Sequence, residues 1–329
     1  MINIGVIGTN FITDSFIEGS NEIIEANISA VYSRTRERAM EYSKKHGIKY
    51  IFTNLEEMAK SEKIDAVYIA SPNALHASQT ILFLKNKKHV LCEKAFASNA
   101  KEVEEMIKVA KENNVVLMEA MKTTVLPNFL AIRENIHKIG KIRKYFSSFC
   151  QYSSRYDKYK EGIILNAYKK ELSNGSLMDI GVYCIAPMVS LFGKPNSLKA
   201  SGMILETGVD GEGSIIFSYK DMTATVIYSK ISNSYIPSEI QGEEGSIIID
   251  KINTFNKVKI VYRDGREEDL SINHNKSDMC YEIEEFVKLI KAGEVESKIN
   301  TFENSLEVIK LMDEARKQIG VKYPADETK

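Results

Sequence analysis

The sequence carries no excess of charge of either sign. Its 329 residues contain 44 Lys and Arg against 45 Asp and Glu, which gives a formal net charge of −1. A dedicated nucleic-acid binder is expected to carry a basic surface, so this balance argues against that class, and we expect no nucleic-acid partner. The hydrophobic content of 43% is typical of a globular protein, and the length predicts about two domains.

Cysteine and histidine are too scattered to indicate a metal site. The four cysteines stand singly and no C-x-x-C pair occurs; they are Cys92, Cys150, Cys184 and Cys280. This spacing argues against a zinc knuckle and a redox dithiol, and the five histidines show no ligand spacing with the cysteines. We therefore expect no metal, reduced thiols and a cytoplasmic location.

Targeting and membrane signals are also missing. No basic segment with a cleavable apolar core precedes the first strand-like residues, so no secretory leader is expected. No apolar run approaches the ~20 residues that a bilayer span needs, and no internal repeat is visible. These absences predict a globular protein without a membrane partner.

The first sixteen residues have the pattern of a strand, a glycine turn and the start of a helix. Ile2 to Ile7 are strand-like, Gly8 follows, and a helical pattern begins at Asn10. Backbone N–H groups at such a turn present partial positive charge to a pyrophosphate. The G-x-G-x-x-G fingerprint is incomplete, because Asn10 and Thr13 occupy its second and third positions. Alone, the turn fits a dinucleotide site and an ordinary βα unit about equally well.

Strand-like and helical segments alternate with short connections up to residue 122. The predicted strands are 26–32, 49–52, 65–70, 88–92 and 115–118, with helices at 36–46, from 54 onward, after 73 and at 99–113. This alternation predicts a doubly wound parallel sheet, whose ligands lie beyond the carboxyl ends of the strands. Gly8, Arg34, Asn73 and Lys94 fall at that edge.

The end of the second predicted strand favours NADP over NAD. An acidic residue there would bind the ribose 2′-hydroxyl of NAD, but the first acid is Glu37, inside the next helix. Ser33 and Arg34 instead offer a hydroxyl and a guanidinium, which suit a 2′-phosphate. The alternative is a solvated basic start of a helix.

From about residue 123 the pattern becomes α+β. We divide the chain into a dinucleotide-binding domain, 1–122, and a substrate-binding and oligomerisation domain, 123–329. The predicted strands of the second domain are 142–152, 197–206, 213–219, 222–231, 235–241, 245–250, 257–262 and 267–272, and its helices include 128–138, 277–292 and 303–319. They predict an open, largely antiparallel sheet whose free face pairs with a second subunit, as a homodimer or homotetramer.

Two segments of the second domain carry candidate substrate residues. The tyrosine-rich stretch 152–168 is interpreted as a lid over a polyhydroxylated substrate, with Arg155 and Tyr156 as contacts; the alternative is a half-buried, mobile loop. Asp179 and Tyr183 stand four residues apart on an otherwise apolar helix, hence on one face. Because burying such groups without partners is costly, this helix is a candidate site, although a capped core helix is the alternative.

Together these segments resemble the Gfo/Idh/MocA oxidoreductase family, in the branch of glucose–fructose oxidoreductase and the dimeric dihydrodiol dehydrogenases. The resemblance covers nearly the whole chain. Four motifs carry it in family order, namely residues 4–9 (IGVIGT), 71–76 (SPNALH), 88–94 (KHVLCEK) and 177–183 (LMDIGVY). Tyr183 places the chain in this branch, since inositol dehydrogenases of the family carry histidine there.

The resemblance implies an NADP-dependent dehydrogenase or reductase acting on CH–OH groups of a sugar, a polyol or a related small molecule. Lys94, Asp179 and Tyr183 are the implied catalytic residues, with Tyr183 as general acid/base. A Lys94 ammonium close to Tyr183 lowers the pKa of the phenol from its usual ~10. The implied cofactor-binding residues are Gly8, Thr9, Asn10, Phe11, Ile12, Ser33, Arg34, Ser71, Pro72, Asn73, His76, Glu93 and Lys94.

Some positions depart from the family pattern and leave a second function open. Asn10 and Thr13 weaken the phosphate fingerprint, Ala95 replaces the proline after Lys94, and Asn174 stands where relatives often have glycine. A non-catalytic NAD(P)-binding sensor or regulator on the same fold is the alternative. Retention of the three implied catalytic residues favours the enzyme.

Overall fold

The computed structural model describes residues 1–273 and 275–327, and these residues form two compact units. The first unit comprises Met1–Lys122 and Asn275–Glu303; the second comprises the described residues of Thr123–His274 and Asn304–Lys329. The strands are β1 Ile2–Ile7, β2 Ala26–Tyr32, β3 Tyr50–Phe52, β4 Ala66–Ile69, β5 His89–Glu93, β6 Leu117–Ala120, β7 Ile142–Cys150, β8 Ser197–Ile204, β9 Asp210–Ser218, β10 Thr223–Ser229, β11 Ser238–Gly242, β12 Gly245–Ile249, β13 Val258–Tyr262 and β14 Glu267–Asp269. The α-helices are α1 Phe11–Ser20, α2 Arg36–His46, α3 Leu55–Lys60, α4 His76–Lys85, α5 Ala100–Asn113, α6 Pro127–Asn135, α7 Ser154–Lys160, α8 Val182–Phe192, α9 Asp278–Ala292 and α10 Phe302–Ile319.

A six-stranded parallel sheet forms the centre of the first unit. Its strand order is β3-β2-β1-β4-β5-β6, so the order reverses between β1 and β4. The crevice beyond the carboxyl ends at such a switch point is where open α/β sheets bind their ligands. The predicted doubly wound parallel sheet is confirmed.

The helix α9 departs from the predicted domain division. The sequence analysis placed it in the C-terminal domain, but its apolar residues join the core of the first unit. Ile283 and Phe286 are fully buried in the same cluster as Phe16 of α1. Gly19 lets the two helices approach closely, since a Cβ there would lie 3.0 Å from the Cβ of Met279. The apolar face of α9 therefore covers α1.

An eight-stranded open sheet forms the second unit. Its order is β14-β13-β12-β11-β7-β10-β9-β8, and among these strands only the β7–β10 pair is parallel. The predicted open, largely antiparallel sheet is confirmed. Most of these strands are shorter than predicted, as at β14, which ends at Asp269, whereas β9 begins earlier than predicted, at Asp210.

The segment 170–192 is irregular. A π-helical turn, Leu177–Gly181, leads directly into α8, which contains Pro187. By length and composition Lys170–Phe192 is apolar enough to cross a membrane, in contrast to the expectation from sequence, but 67% of its most apolar window is buried inside the protein. Such burial is typical of a core helix.

The tyrosine-rich stretch is more regular than predicted. Ser154–Lys160 forms the helix α7, with the Ser153 side chain accepting a hydrogen bond from the Arg155 N–H. The ring of Tyr156 packs against Tyr159 and Tyr168, with ring centroids 5.6 and 5.9 Å away. The interpretation as a loop is corrected, because the rings hold this segment in a small apolar cluster.

Candidate active site

The turn after β1 depends on Gly8. This residue has φ +113°, a conformation that favours glycine. A Cβ at position 8 would lie 2.7 Å from the backbone oxygen of Ala70, which follows β4. Glycine thus allows the turns after the two central strands to lie side by side at the switch point.

Asn10 caps the helix that follows this turn. Its Oδ1 accepts hydrogen bonds of 3.2 Å from the N–H groups of Ile12 and Thr13, and its Nδ2 donates to Ala70 at 3.1 Å. Its φ of −113° is extended, so the turn does not need a residue that tolerates positive φ here. Asn10 therefore occupies N–H groups that a pyrophosphate would otherwise use, while Phe11 beside it is 66% exposed.

Arg38 also reaches this turn, a residue that the sequence analysis missed. Its Nε donates to Thr9 Oγ1 at 3.1 Å and its Nη2 donates to the Thr9 carbonyl at 2.9 Å. Arg34 is exposed just beyond the end of β2, and Ser33 is half-buried. The available signal was the position of Arg38 in the first turn of α2, directly after the strand end that carries Ser33 and Arg34. Two guanidinium groups and a hydroxyl form a donor set that fits phosphate groups.

His76 is an interior residue that joins two turns of this edge. It is fully buried, and its ring nitrogens lie 2.8 Å from the Ser71 carbonyl and 2.9 Å from the Ala95 carbonyl. Burial lowers the pKa of His76, so the neutral ring donates to one carbonyl at a time. Its predicted contact with the cofactor stays a prediction. Pro72 and Asn73 lie on the turn that it supports, and Asn73 is itself buried.

Glu93 and Lys94 have different surroundings at the end of β5. The Glu93 carboxylate is buried and accepts hydrogen bonds from the Tyr68 hydroxyl at 2.5 Å and from the Lys94 N–H at 3.2 Å. Glu93 therefore lies in the interior, and its predicted contact with the cofactor stays a prediction. The Lys94 side chain is half-buried at the edge, and the Lys94–Ala95 peptide is cis.

A second buried carboxyl group lies close to Glu93. Glu282 of α9 is fully buried, and neither of its carboxyl oxygens has a hydrogen-bond partner among the described residues. Burial, and after it the charge of Glu93, raises the pKa of Glu282 well above its usual value. Nearby, Lys122 pairs with Asp278 at 2.9 Å. Within residues 1–273 and 275–327, no group of three or more His, Cys, Asp or Glu side chains is arranged to hold a metal.

In the second unit, Asp179 forms an ion pair with Lys230. The Nζ of Lys230 lies against Asp179 Oδ2, and the lysine is 3% exposed while the Asp179 side chain keeps 33% of its surface. The lysine Nζ also lies 5.5 Å from the ring centroid of Tyr168, a favourable cation–π distance. Lys230 is a second residue that the sequence analysis missed, because 51 positions separate it from Asp179.

Tyr183 lies at the start of α8, half-buried, with its ring edge-to-face against Phe149 at 5.7 Å. Arg155 is exposed on α7 and Tyr156 is half-buried beside it. Each of these predicted residues thus keeps accessible surface in the second unit. Their predicted catalytic and substrate-binding roles stay predictions.

Known proteins match both units. Residues 2–121 match the GFO/IDH/MocA oxidoreductase family with an NAD-binding Rossmann fold, and residues 129–248 match the GFO/IDH/MocA C-terminal domain. The chain belongs to the Gfo/Idh/MocA family. This family membership, inferred from four short motifs, is confirmed, and the protein is an oxidoreductase with an NAD(P)-binding Rossmann domain.

Individual Gfo/Idh/MocA proteins align along almost the entire chain. The scyllo-inositol 2-dehydrogenase (NADP(+)) IolU of Bacillus subtilis is 58% identical, covering 99% of this chain and 100% of its own. The trans-1,2-dihydrobenzene-1,2-diol dehydrogenase of Xenopus tropicalis is 31% identical, covering 97% of this chain and 98% of its own. The solved structure of a levoglucosan dehydrogenase with NADH and levoglucosan superposes with a TM-score of 0.83 at 20% identity, covering 97% of each chain, and so shows the shared fold.

Proposed function

We propose that this oxidoreductase is an NADP-dependent dehydrogenase of a cyclic polyol, with scyllo-inositol as the first substrate to test. The observation that carries the proposal is the 58% identity to IolU over 99% of this chain. Within the family, Tyr183 had favoured the branch without inositol dehydrogenases. This chain nevertheless carries Tyr183 and is 58% identical to IolU, which is named as an inositol dehydrogenase. We therefore do not take Tyr183 as an argument against an inositol substrate.

The choice of NADP is supported by the donors at the adenosine end of the site. Ser33, Arg34 and Arg38 lie at the end of β2 and the start of α2, and no acidic residue stands between Tyr32 and Glu37 to bind a ribose 2′-hydroxyl. Guanidinium groups bind phosphate in a bidentate manner. These residues therefore fit the 2′-phosphate of NADP better than the free hydroxyl of NAD.

The proposed oxidation of a substrate alcohol to a ketone removes one hydride and one proton, and the proton is taken up by a side chain of the protein. When bound, NADP would supply the hydride acceptor for the carbon that carries the substrate hydroxyl, with the ketone as product. Tyr183 takes the hydroxyl proton as the general base, and Lys94 is the charged residue that the first unit contributes to the reaction. Asp179, held by Lys230, accepts a hydrogen bond from a substrate hydroxyl and orients it.

Binding of the two reduced cofactors tests the choice of NADP. NADPH and NADH are titrated into the protein while nicotinamide fluorescence is recorded, and we expect NADPH to bind at least about tenfold more tightly, since one charge-assisted contact contributes about 1.5–3 kcal/mol. Arg34→Ala should weaken NADPH binding and leave NADH binding nearly unchanged. Arg133→Ala, an exposed arginine of α6, is the control. Equal binding of both cofactors in the wild type would contradict the phosphate contact.

A turnover measurement distinguishes the proposed dehydrogenase from the alternative, a non-catalytic regulator. Reduction of NADP is measured with scyllo-inositol, myo-inositol and a panel of sugars. Tight NADPH binding without turnover of any of these compounds would favour the sensor, the alternative on the same fold. Turnover of scyllo-inositol above the others would support the proposed substrate.

We also propose that the protein forms a homodimer or homotetramer through the sheet of the second unit. Met203 of β8 and Ile216 of β9 are 45% and 52% exposed on one face of this sheet. Apolar side chains grouped on an open face are typical of a subunit contact. Light scattering after size-exclusion chromatography measures the mass, and a monomer at micromolar concentration would contradict the proposal.

A further inference from the structure

Asp210 is a fully buried carboxyl group at the first position of β9. Its Oδ2 accepts a hydrogen bond of 2.6 Å from the backbone N–H of Leu177, the first residue of the π-helical turn that carries Asp179. Its Oδ1 has no hydrogen-bond partner in the part of the chain that the structure describes. A Cβ at Gly175, where φ is +148°, would overlap Oδ1, so glycine at this position lets the loop lie against the carboxyl group.

Lys230 links this carboxyl group to Asp179. Its ammonium pairs with the Asp179 carboxylate, and its positive charge also acts on Asp210. Its backbone N–H donates to the Gly211 carbonyl at 3.0 Å, which fixes the lysine beside the start of β9. The buried Lys230 thus interacts with two carboxyl groups. Asp210 is hydrogen-bonded to the segment on which Asp179 lies.

We propose that Asp210 and Lys230 are positioning residues for the reaction. Asp210 fixes the start of the segment that carries Asp179 and Tyr183, and Lys230 fixes the carboxylate of Asp179. The inference rests on the proposed function for the roles of Asp179 and Tyr183. Neither positioning residue has to touch the substrate.

The charged and titratable groups around Asp210 make this arrangement sensitive to pH. Lys230 after β10 and Arg316 of α10 favour the carboxylate, while the buried phenols of Tyr228 and Tyr323 face it without charge. Burial outweighs the hydrogen bond from the Leu177 N–H and the two cations, and it raises the pKa of Asp210 to about 6. Below that pH the neutral carboxyl group binds the Leu177 N–H less strongly, because charge-assisted hydrogen bonds are roughly twice as strong as neutral ones.

The first test is the pH profile of kcat between pH 5 and 9. We expect the wild type to lose kcat below an apparent pKa near 6. Asp210→Asn should lack this acid limb and have a kcat about 10- to 100-fold lower at pH 8, since small misplacements of reacting groups cost this much. The KM for NADP should stay within about twofold, since cofactor binding is placed in the first unit. Asp221→Asn, an exposed ion-paired aspartate of the second unit, should behave as the wild type.

The second test needs no turnover. Because folding raises the pKa of Asp210, the wild type loses stability as pH rises through about 6, whereas Asp210→Asn does not. The Tm of Asp210→Asn relative to the wild type should therefore rise between pH 5 and 7. A difference that is independent of pH would show that Asp210 does not ionise there and would overturn the inference.

Lys230 variants keep the inference testable if Asp210→Asn does not fold. Lys230→Arg should retain more kcat than Lys230→Met, because the guanidinium can still hold Asp179. Equal kcat in both variants and in the wild type, or an acid limb that is unchanged in Asp210→Asn, would overturn the positioning role. A wild type that turns over no polyol would instead be a failure of the proposed function, and the Tm titration would still decide whether Asp210 ionises near pH 6.

Discussion

Glu93 and Glu282 form a pair of buried carboxyl groups in the first unit, and their surroundings differ. Glu93 accepts two hydrogen bonds, whereas Glu282 has none among the described residues. Hydrogen bonds to a carboxylate favour its charged form, and burial without them favours the neutral form. Burial raises the pKa of both groups, that of Glu282 well above its usual value, so we conclude that Glu282 is the one of the pair that keeps its proton to higher pH.

Glu282→Gln tests this assignment. The raised pKa of Glu282 means that the wild type loses stability as pH rises through that value, while the neutral amide has no such loss. We expect the two Tm values to be closest near pH 4, below the usual glutamate pKa of about 4.3, and the Tm of Glu282→Gln to exceed that of the wild type increasingly as pH rises to 9. Glu284→Gln, which removes an exposed charge from the same helix, should show no such divergence. Parallel Tm curves for Glu282→Gln and the wild type would contradict the assignment.

Lys94 is the residue of the first unit that contributes a positive charge to the proposed reaction. Lys94→Met should lower kcat by about 10²- to 10⁴-fold, the usual contribution of an acid–base group and its partner. The affinity for NADPH should survive within a few-fold. Lys85→Met, on the exposed face of α4, serves as the matched change. Unchanged turnover in Lys94→Met would remove this lysine from the mechanism.

At the scale of elements, α1 shows how a helix cap competes with a ligand. Asn10 satisfies two N–H groups at the start of α1, the same groups that a pyrophosphate would use. Asn10→Gly restores the fingerprint glycine and frees these groups, at a cost of only a few tenths of a kcal/mol in helix stability. We expect NADPH to bind several-fold more tightly to this variant.

Asn54 supplies the control for that prediction. It caps α3 with the same two hydrogen bonds, at 2.8 and 3.1 Å, after the edge strand β3, which is separated from β1 by β2. Asn54→Gly should change stability by a similar amount and leave the NADPH Kd unchanged. Weaker NADPH binding by Asn10→Gly would mean that the asparagine side chain itself contributes to the cofactor site.

Local signals explain which elements could be predicted from the sequence. The bounds of α2 agree with the prediction, because Thr35 caps its start and Gly47 at φ +69° ends it. The helix α7 was missed, although Ser153 is a capping residue, because its tyrosines gain their stability from rings elsewhere in the chain, such as Tyr168.

The parts of the site that could not be predicted depend on distant contacts. The Asp179–Lys230 pair and the Leu177–Asp210 hydrogen bond join residues 51 and 33 positions apart. No periodicity or cap encodes such pairs. The motifs located Asp179 and Tyr183, and the sheet topology then supplied their neighbours.

At the scale of the whole molecule, the first unit is built from two separate stretches of chain. The core of Met1–Lys122 is covered by α9 from Asn275–Glu303. Each large apolar side chain that α9 buries contributes about 1.5–3 kcal/mol, which is a large share of the stability of a domain. The first stretch alone should therefore be unstable.

Two fragments test this dependence. Residues 1–122 alone should show no cooperative thermal transition, whereas 1–122 joined to 275–303 by a short Gly-Ser linker should melt cooperatively and bind NADPH. The linker can be short, because Lys122 and Asp278 form an ion pair at 2.9 Å. Ile283→Asp in the joined fragment, which places a charge in the core, should abolish the transition. A stable fragment 1–122 would contradict the prediction.

The late position of α9 also affects the order of events during synthesis. Domains generally fold as units as they leave the ribosome, beginning with the N-terminal one. Here the strands β1–β6 emerge early, but the helix that covers α1 emerges only after the whole sheet of the second unit. The nascent chain thus exposes the apolar surface of α1 through most of its translation, and the two units reach their native state nearly together.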